Sequence, residues 1–204
     1  MRCGTVVIGA GVCGLAAARA LALTGREVLV IEAERSVGTI TSSRNSEVVH
    51  GGIYYSQDSL KARLCVEGRR MMYDFCDSRG VPHARCGKLI VATSESQLPT
   101  LDDVQRKAGR NGLTGADRLR RLSSAEARAL EPNVSCVGAL LSPSTGVVDS
   151  HALMSARMAD DAFGVSLGTA VRRGRVLPGE GILLECGDGQ EVTELLCGEV
   201  VNSA

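Results

Sequence analysis

The sequence predicts an α/β fold built around a parallel sheet, and three observations near its N-terminus support this. Residues 6–8 form a short apolar run, as expected of a strand buried on both faces. A turn containing Gly9, Gly11 and Gly14 follows and leads into a helix of small residues. A second apolar run then ends at Glu32, 23 positions after Gly9. This order of strand, glycine turn, helix, strand and carboxylate is typical of a dinucleotide-binding βαβ unit.

Each glycine of this turn has a separate physical task. Gly9 permits the sharp turn, Gly11 lets the backbone approach a pyrophosphate, and Gly14 lets the helix pack closely on the strand. The phosphates would bind at the helix N-terminus, where N–H groups are free and the dipole is positive. Glu32 favours a free ribose hydroxyl over a 2′-phosphate. The alternative is a βαβ unit whose glycines serve packing alone.

Composition excludes several classes of protein. The 204 residues are 44% apolar, which is enough for a core, and 23 basic residues balance 23 acidic ones. We therefore expect no nucleic-acid partner. The eight cysteines and three histidines lack metal-site spacing, so we predict no metal. We expect no transmembrane segment and, since the first strand starts close to Met1, no presequence, which makes the cytoplasm the default compartment.

Periodicity and capping residues predict the remaining elements. Helices are expected at residues 58–79, 97–111, 123–130 and from 149 or 150 to before 164. Strands are expected at residues 86–93, 137–142, 170–177, 181–186 and 191–196, the last three as an antiparallel meander with turns at 178–179 and 187–189. Residues 200–204 are expected to open another buried strand.

The N-terminal pattern GxGxxGxxxAxxLxxxGxxVxxxE resembles the FAD-binding fingerprint of the glutathione-reductase-like flavoproteins. Arg35, Gly38 and Thr41 are similar to the RxGGxxxT continuation of that fingerprint, although Thr39 replaces one glycine. The resemblance implies FAD as the cofactor. It also implies a glutathione-reductase-like, Rossmann-type FAD-binding domain with an inserted α+β substrate domain.

Four further segments resemble the L-2-hydroxyglutarate dehydrogenases of the amino-acid-oxidase-like branch. They are TSSRNSEVVHGGIYY (41–55), SLKARLCVEG (59–68), CGKLIVA (86–92) and TGVVD (145–149). The resemblance implies FAD-dependent oxidation of L-2-hydroxyglutarate to 2-oxoglutarate, with a small dicarboxylate 2-hydroxy acid as substrate and an electron acceptor that the sequence does not identify. It also implies a mitochondrial location for a eukaryotic member.

A second family is similar over the first of these segments. FAD-dependent glycerol-3-phosphate dehydrogenases share its serines, histidine and glycines but lack GIYY, LKARLC and CGKL. Glycerol-3-phosphate oxidation is therefore the alternative activity.

The polar loop after the second strand supplies candidate FAD ligands. Its hydroxyl, amide and guanidinium groups are suited to pyrophosphate and ribityl oxygens. With Gly9, Gly11, Gly14 and Glu32, the predicted cofactor-binding residues are Arg35, Thr41, Ser42, Ser43, Arg44, Asn45 and Ser46. The alternative is an ordinary polar loop.

His50 is the candidate catalytic base. It lies between Val49 and the pair Gly51 and Gly52, which permit close approach of the backbone to a flat ring. Oxidation of a secondary alcohol removes a proton from the hydroxyl, and imidazole is suited to accept it near neutral pH. The alternative is a histidine that only hydrogen-bonds the flavin or the backbone.

A dicarboxylate substrate requires cationic or hydroxyl anchors. Tyr54, Tyr55, Lys61 and Lys88 lie in the family-like segments and are the candidates. Both lysines could equally be solvated surface charges.

The predicted FAD-binding domain comprises residues 1–84 and 149–204, and the substrate-domain segment comprises residues 85–148. Residues 200–204, VVNSA, resemble the start of the strand that leads to the family's (N/C)xAG turn. The resemblance implies that further substrate-domain strands and a flavin-contacting segment are missing. We therefore expect a C-terminally incomplete domain that binds FAD weakly or not at all, and a non-catalytic fragment is a third alternative.

Overall fold

A computed structural model describes residues 1–159, 162–187 and 191–204, which divide into two units. The first consists of Met1–Ser46 and Ser150–Ala204, and the second is Glu47–Asp149. The second unit thus begins well before residue 85, where the sequence placed the start of the substrate-domain segment. Compactness does not reveal which residues contact a cofactor, so the functional assignment of 1–84 and 149–204 stays a prediction.

The bounds of the regular elements follow in chain order. The strands are β1 (Arg2–Ile8), β2 (Val28–Ile31), β3 (Val48–Val49), β4 (His83–Ala84), β5 (Lys88–Ala92), β6 (Arg120–Ser123), β7 (Gly138–Ser142), β8 (Gly146–Val148), β9 (Gly164–Ser166), β10 (Ala170–Leu177), β11 (Gly181–Gly187) and β12 (Thr193–Asn202). The α-helices are α1 (Val12–Ala22), α2 (Leu60–Arg79), α3 (Leu98–Arg110), α4 (Ser124–Leu130) and α5 (Ser150–Met158).

The first unit contains a mixed sheet with strand order β10-β11-β12-β1-β2-β9. Strand β1 is parallel to both β2 and β12, and β9 is parallel to β2. Strands β10, β11 and β12 form the predicted antiparallel meander. The α/β class with a parallel sheet is therefore confirmed. The turn expected at residues 187–189 falls partly outside the described residues.

Strand β12 corrects one expectation. Residues 200–202 continue the third meander strand and do not open a new one. The reason is tertiary: Leu196 to Asn202 pair in parallel register with Arg2 to Ile8, so the ladder with β1 extends the strand beyond its pairing with β11.

One of the buried clusters of the first unit lies between the sheet and helices α1 and α5. Leu15 and Ala18 of α1 are fully buried against Val7 and Val30, and Met154 of α5 joins the same cluster. The small residues of α1 explain this close contact, because a helix rich in alanine and glycine packs near a strand.

The second unit contains two small antiparallel sheets, β3-β8-β4 and β5-β7-β6, with helices α2, α3 and α4. Its core includes Leu101, Leu113, Leu119 and Leu140. The short strands β3, β4, β6, β8 and β9 were not predicted, since two to four residues carry too little periodicity.

Local capping explains the ends of the helices in this unit. The Ser59 hydroxyl accepts a hydrogen bond from Ala62 N–H at 3.1 Å, and Gly80 ends α2 in the left-handed conformation with φ +65°. The capping box of Ser123 and Glu126 forms at the start of α4, as predicted. In the described part of the chain, none of the helices is long and apolar enough to span a bilayer.

Candidate functional site

A cleft in the first unit lies where β1 and β2 end and α1 begins. Its volume is about 340 Å³. The residues that line it come from the glycine turn, the loop after β2, the start of β10 and the C-terminal residues of the chain: Ile8, Gly9, Gly11, Ile31, Glu32, Ala33, Glu34, Gly38, Thr39, Ile40, Thr41, Ser42, Thr169, Ala170, Val171, Ser203 and Ala204.

Two glycines of the turn cannot be replaced without strain. Gly9 has φ +97°, and a Cβ there would lie 2.9 Å from the carbonyl oxygen of Ser203. A Cβ on Gly14 would overlap the carbonyl oxygen of Gly9. Gly9 is therefore required by its backbone conformation and its closeness to Ser203, and Gly14 by the close packing of α1 against the turn, as the fingerprint predicts.

The N-terminus of α1 faces this cleft through backbone groups. Gly11 is the N-cap and carries no side chain that could cap the helix. The Ser42 hydroxyl accepts a hydrogen bond from Val12 N–H at 3.0 Å. An anion bound here would meet backbone N–H donors and the positive end of the helix dipole.

Glu32 lines the same cleft and is held by the backbone. Its Oε2 accepts a hydrogen bond from Ala10 N–H at 2.6 Å, and its Oε1 accepts one from Glu34 N–H at 2.9 Å. An oriented carboxylate and a phosphate-binding helix N-terminus in one cleft fit the ADP half of a dinucleotide.

The structure brings some predicted cofactor residues together and leaves others outside the cleft. Gly9, Gly11, Glu32, Thr41 and Ser42 line it. The loop residues outside it, as far as side-chain bonds are described, hold the loop itself: Ser43 Oγ donates to Thr39 O at 2.9 Å, Arg44 Nη1 donates to Thr39 O at 3.1 Å, and Asn45 Nδ2 donates to Ser42 O at 2.7 Å. Arg35 and Ser46 are exposed and do not line the cleft, and neither does Gly14, which is buried in α1. Cofactor contact by these six residues stays a prediction.

Most of the candidate catalytic and substrate residues lie around a second, smaller cleft within the second unit. His50, Tyr54, Tyr55 and Lys88 line it, whereas Lys61 is exposed and does not. Its volume is only about 10 Å³, so this unit by itself does not enclose a dicarboxylate. His50 and Tyr54 are exposed at its mouth.

Each tyrosine of this cleft is paired with a lysine. Lys88 Nζ lies 5.1 Å from the centroid of the Tyr54 ring, and Lys61 Nζ lies 4.7 Å from that of Tyr55. Both distances are within the range of cation–π attraction. The two lysines are therefore part of a local arrangement with the tyrosines, and each places a positive charge next to a phenol.

Burial keeps the Tyr55 phenol and the neighbouring Cys65 thiol protonated. Burial raises the pKa of the Tyr55 phenol, and a hydrogen bond with Cys65 adds to the shift. Burial also raises the pKa of the Cys65 thiol, against the opposing effect of Arg69. Both groups keep their protons at neutral pH. The Cys65 thiol donates to the carbonyl oxygen of His50 at 3.3 Å, which ties α2 to the backbone of the candidate base.

Thr145 is a cleft residue that sequence reasoning missed. Its hydroxyl is buried and lies 2.8 Å from that of Ser142, and a Cβ on Gly51 would lie 3.2 Å from it. The available signal was its place at the start of the TGVVD segment. Sequence reasoning also missed Thr169 and Ser203 in the cleft of the first unit. They are distant in sequence from the glycine turn, and the pairing of strands in the sheet brings them to the cleft.

Comparison with known proteins identifies the family. The model of a family described as FAD dependent oxidoreductase matches residues 5–204. The chain belongs to this family. Membership confirms the predicted enzyme class and FAD as the cofactor of the fold. Within the described ranges of this family member, no group of three or more histidine, cysteine or acidic side chains is arranged to hold a metal.

The curated relatives confirm the resemblance to L-2-hydroxyglutarate dehydrogenases. The chain is 54% identical over 153 residues to the mitochondrial L-2-hydroxyglutarate dehydrogenase of Arabidopsis thaliana, a match that covers 75% of the chain and 31% of that protein. It is 38% identical over 146 residues to the enzyme of the same name from Homo sapiens, covering 71% and 31%. The chain thus spans about a third of the length of these relatives.

Solved structures agree on the fold. The FAD-bound L-α-glycerophosphate oxidase of Mycoplasma pneumoniae superimposes with a TM-score of 0.89 at 21% identity, over 98% of this chain and 53% of that one. Glycine oxidase of Geobacillus kaustophilus gives a TM-score of 0.83 at 21% identity, over 100% and 55%. These identities support a shared fold and nothing finer, and they confirm the FAD-binding fold class.

Proposed function

We propose that this chain carries the ADP-binding cleft and part of the substrate site of an enzyme that oxidises L-2-hydroxyglutarate to 2-oxoglutarate with FAD. The observation that carries the proposal is that His50 and Lys88 line one cleft together with Tyr54 and Tyr55, and that Lys61 lies against the Tyr55 ring. The names of the curated relatives give the substrate.

The first unit would hold the cofactor by its adenosine and diphosphate groups. Glu32, oriented by two backbone N–H groups, would accept hydrogen bonds from the ribose hydroxyls. The diphosphate would lie at the N-terminus of α1 beside Gly11 and Ser42. When bound, the flavin supplies the acceptor for the hydride that leaves C2 of the hydroxy acid.

The second unit would recognise and deprotonate the substrate. His50 would accept the proton of the C2 hydroxyl, because a neutral imidazole is a base suited to that step near pH 7. Lys61 and Lys88 would attract the two carboxylates, and the protonated Tyr55 phenol would donate a hydrogen bond. The tyrosine rings would hold the lysine ammonium groups close to the cleft.

Glycerol-3-phosphate oxidation is the second candidate. It rests on the serines, histidine and glycines of residues 41–52, which resemble those of the glycerol-3-phosphate dehydrogenases. At 21% identity the likeness to the glycerophosphate oxidase concerns the fold, whereas the relatives with the higher identity of 54% and 38% are both named for L-2-hydroxyglutarate. Two cations beside two phenols also suit a dicarboxylate. L-2-Hydroxyglutarate is therefore the preferred substrate.

Reduction of a dye by the chain in the presence of excess FAD, which compensates for the weak cofactor binding expected above, tests the proposal. We expect L-2-hydroxyglutarate to reduce the dye and D-2-hydroxyglutarate and glycerol 3-phosphate to fail. His50→Asn should lower the rate by about 10²-fold or more, the usual contribution of a general base. His151→Asn, an exposed histidine of α5, is the matched control and should retain the rate.

Two outcomes would contradict it. Reduction by glycerol 3-phosphate alone would establish the second candidate. Stable FAD binding through gel filtration without reduction by either substrate would favour a non-catalytic chain.

The compartment and the acceptor belong to the same proposal. Both relatives compared above are named as mitochondrial enzymes, so for a eukaryotic source we propose mitochondria in place of the default cytoplasm. Imaging of the tagged full-length gene product tests this, and a purely cytosolic signal would contradict it. Comparing dye, quinone and oxygen as oxidants would identify the acceptor class.

A further inference from the structure

We propose that Asn111 is a positioning residue that fixes the loop of residues 52–55 and so pre-forms the dicarboxylate site. Asn111 follows the last residue of α3 and does not line the cleft that contains His50. The inference rests on the proposed function for the identity of the substrate. The contact between Asn111 and the loop does not depend on that function.

The contact uses both protons of the side-chain amide. Asn111 Nδ2 lies 3.0 Å from the carbonyl oxygen of Gly52 and 3.0 Å from that of Tyr55. Each proton therefore has its own acceptor, and the two acceptors bracket Ile53 and Tyr54. Asn111 is itself held by its backbone N–H, which donates to the carbonyl oxygen of Lys107 at 3.0 Å. One amide thus connects the end of a helix to both ends of the loop.

The side-chain oxygen of Asn111 makes an unfavourable contribution to stability. In the part of the chain that the structure describes, Asn111 Oδ1 is buried and has no hydrogen-bond partner. An unpaired buried acceptor destabilises a protein, and an apolar residue would avoid that cost. The two hydrogen bonds that Asn111 Nδ2 donates to the loop offset this cost and explain why a polar side chain is present at this position.

Packing between the two hydrogen bonds leaves the loop little freedom. Ile53 is 3% exposed and belongs to the same core cluster as Ala108 and Leu113, which flank Asn111. Gly52 has φ +85°, and a Cβ there would lie 2.8 Å from Val66 Cγ2. The loop is therefore pinned by its side chain at Ile53 and by its backbone on both sides.

The consequence concerns the two tyrosine–lysine pairs. Tyr54 lies between the two pinned carbonyl groups, and Tyr55 contributes one of them. A fixed backbone restricts the positions of the two rings, and through the cation–π contacts it restricts the positions of the Lys88 and Lys61 ammonium groups. A site whose cations are already positioned loses less entropy when a dicarboxylate binds. Asn111 would thus raise substrate affinity without touching the substrate.

Fluorine NMR of the full chain labelled with 3-fluorotyrosine tests the inference. The sequence contains three tyrosines, at positions 54, 55 and 73, so each gives its own signal. Tyr73 lies in the same unit, donates to the carbonyl oxygen of Ser144 at 3.1 Å and reports on general folding. The variants are Asn111→Asp and Asn111→Ala, with the exposed Asn133→Ala as matched control.

We expect both Asn111 variants to shift or broaden the signals of Tyr54 and Tyr55 while that of Tyr73 stays in place. Asn111→Asp is decisive, since it keeps the volume and the turn-forming tendency of asparagine but removes both donors. It should also weaken L-2-hydroxyglutarate binding, followed by the same signals, by about tenfold. Asn133→Ala should change none of these.

Unchanged Tyr54 and Tyr55 signals in Asn111→Asp would overturn the inference. A check on the unmutated chain does not depend on variant folding: the side-chain amide protons of Asn111 should exchange with solvent far more slowly than those of Asn133, and equal rates would also overturn it. If the variants behave as expected but L-2-hydroxyglutarate moves no tyrosine signal in the unmutated chain, the proposed substrate is wrong and the positioning contact stands.

Discussion

The hydroxyl of Ser42 accepts a hydrogen bond from the backbone N–H of Val12 at 3.0 Å, so the loop after β2 caps the first turn of α1. The helix does not cap itself, because its N-cap residue is Gly11. A cap that comes from a residue 30 positions away couples the order of the loop to the order of the helix.

Ser42→Ala should therefore destabilise the first unit. Removing a hydroxyl that caps a helix costs about 1 kcal/mol, and the Val12 N–H would lose its protein partner. Urea denaturation of the full chain gives the free energy of unfolding. Ser36→Ala, in the exposed part of the same loop, is the control. The coupling would be disproved by equal effects of the two substitutions.

Gly14→Ala and Gly68→Ala should have opposite effects on stability. A Cβ on Gly14 would overlap the Gly9 carbonyl oxygen, so we expect a loss of about 2 kcal/mol or more from overpacking. Gly68 lies within α2, and a methyl group added there would meet no atom of the surrounding chain within 4 Å, so alanine should add about 0.5–1 kcal/mol through helix propensity. Thermal unfolding of both variants measures this, and a harmless Gly14→Ala would refute the packing argument.

The buried ion pair of Arg69 and Asp117 should be sensitive to the loss of its carboxylate. The Arg69 side chain is 2% exposed, donates to Asp117 Oδ2 at 2.5 Å and also bonds the Ser144 hydroxyl. Asp117→Ala leaves the guanidinium buried without its counter-charge, for which we expect a loss of about 3 kcal/mol.

The control for this pair is Arg70→Ala. Arg70 reaches the same carboxylate at 3.4 Å, but its side chain is 62% exposed, so its removal should change stability by less than about 1 kcal/mol. Chemical denaturation compares the two variants. Similar small losses in both would show that the buried pair contributes little.

The capping box of α4 should make stability depend on pH. Hydrogen bonds from the backbone N–H and hydroxyl of Ser123 lower the pKa of Glu126. A carboxyl whose pKa is lower in the folded state stabilises the fold fully above its unfolded pKa, about 4.3, and loses this contribution as the pH falls through the folded pKa.

We therefore expect Glu126→Gln to be less stable than the unmutated chain at pH 7 and the difference to shrink as the pH is lowered below about 4. Denaturation at a series of pH values measures the difference. Glu131→Gln, just beyond the same helix and exposed, is the matched control. A difference that grows toward low pH would contradict the assignment.

The sequence by itself determined the features that depend on neighbouring residues. The glycine turn, the end of α2 at Gly80, the capping box at Ser123 and the position of Glu32 after β2 were all predicted. Each depends on backbone conformations or hydrogen bonds within one βαβ unit or one helix end, for which residue types at fixed spacing are sufficient.

Only the tertiary structure decided the contacts between distant segments. It extended β12 along β1, placed Thr145 in the same cleft as His50, and brought Asn111 to the Gly52 carbonyl across 59 positions. It also showed that the loop residues from Ser43 to Asn45 bond their own backbone and do not line the cleft. Such choices follow from the register of strands and the packing of a whole unit, where many residues contribute a little and no local pattern marks the partner.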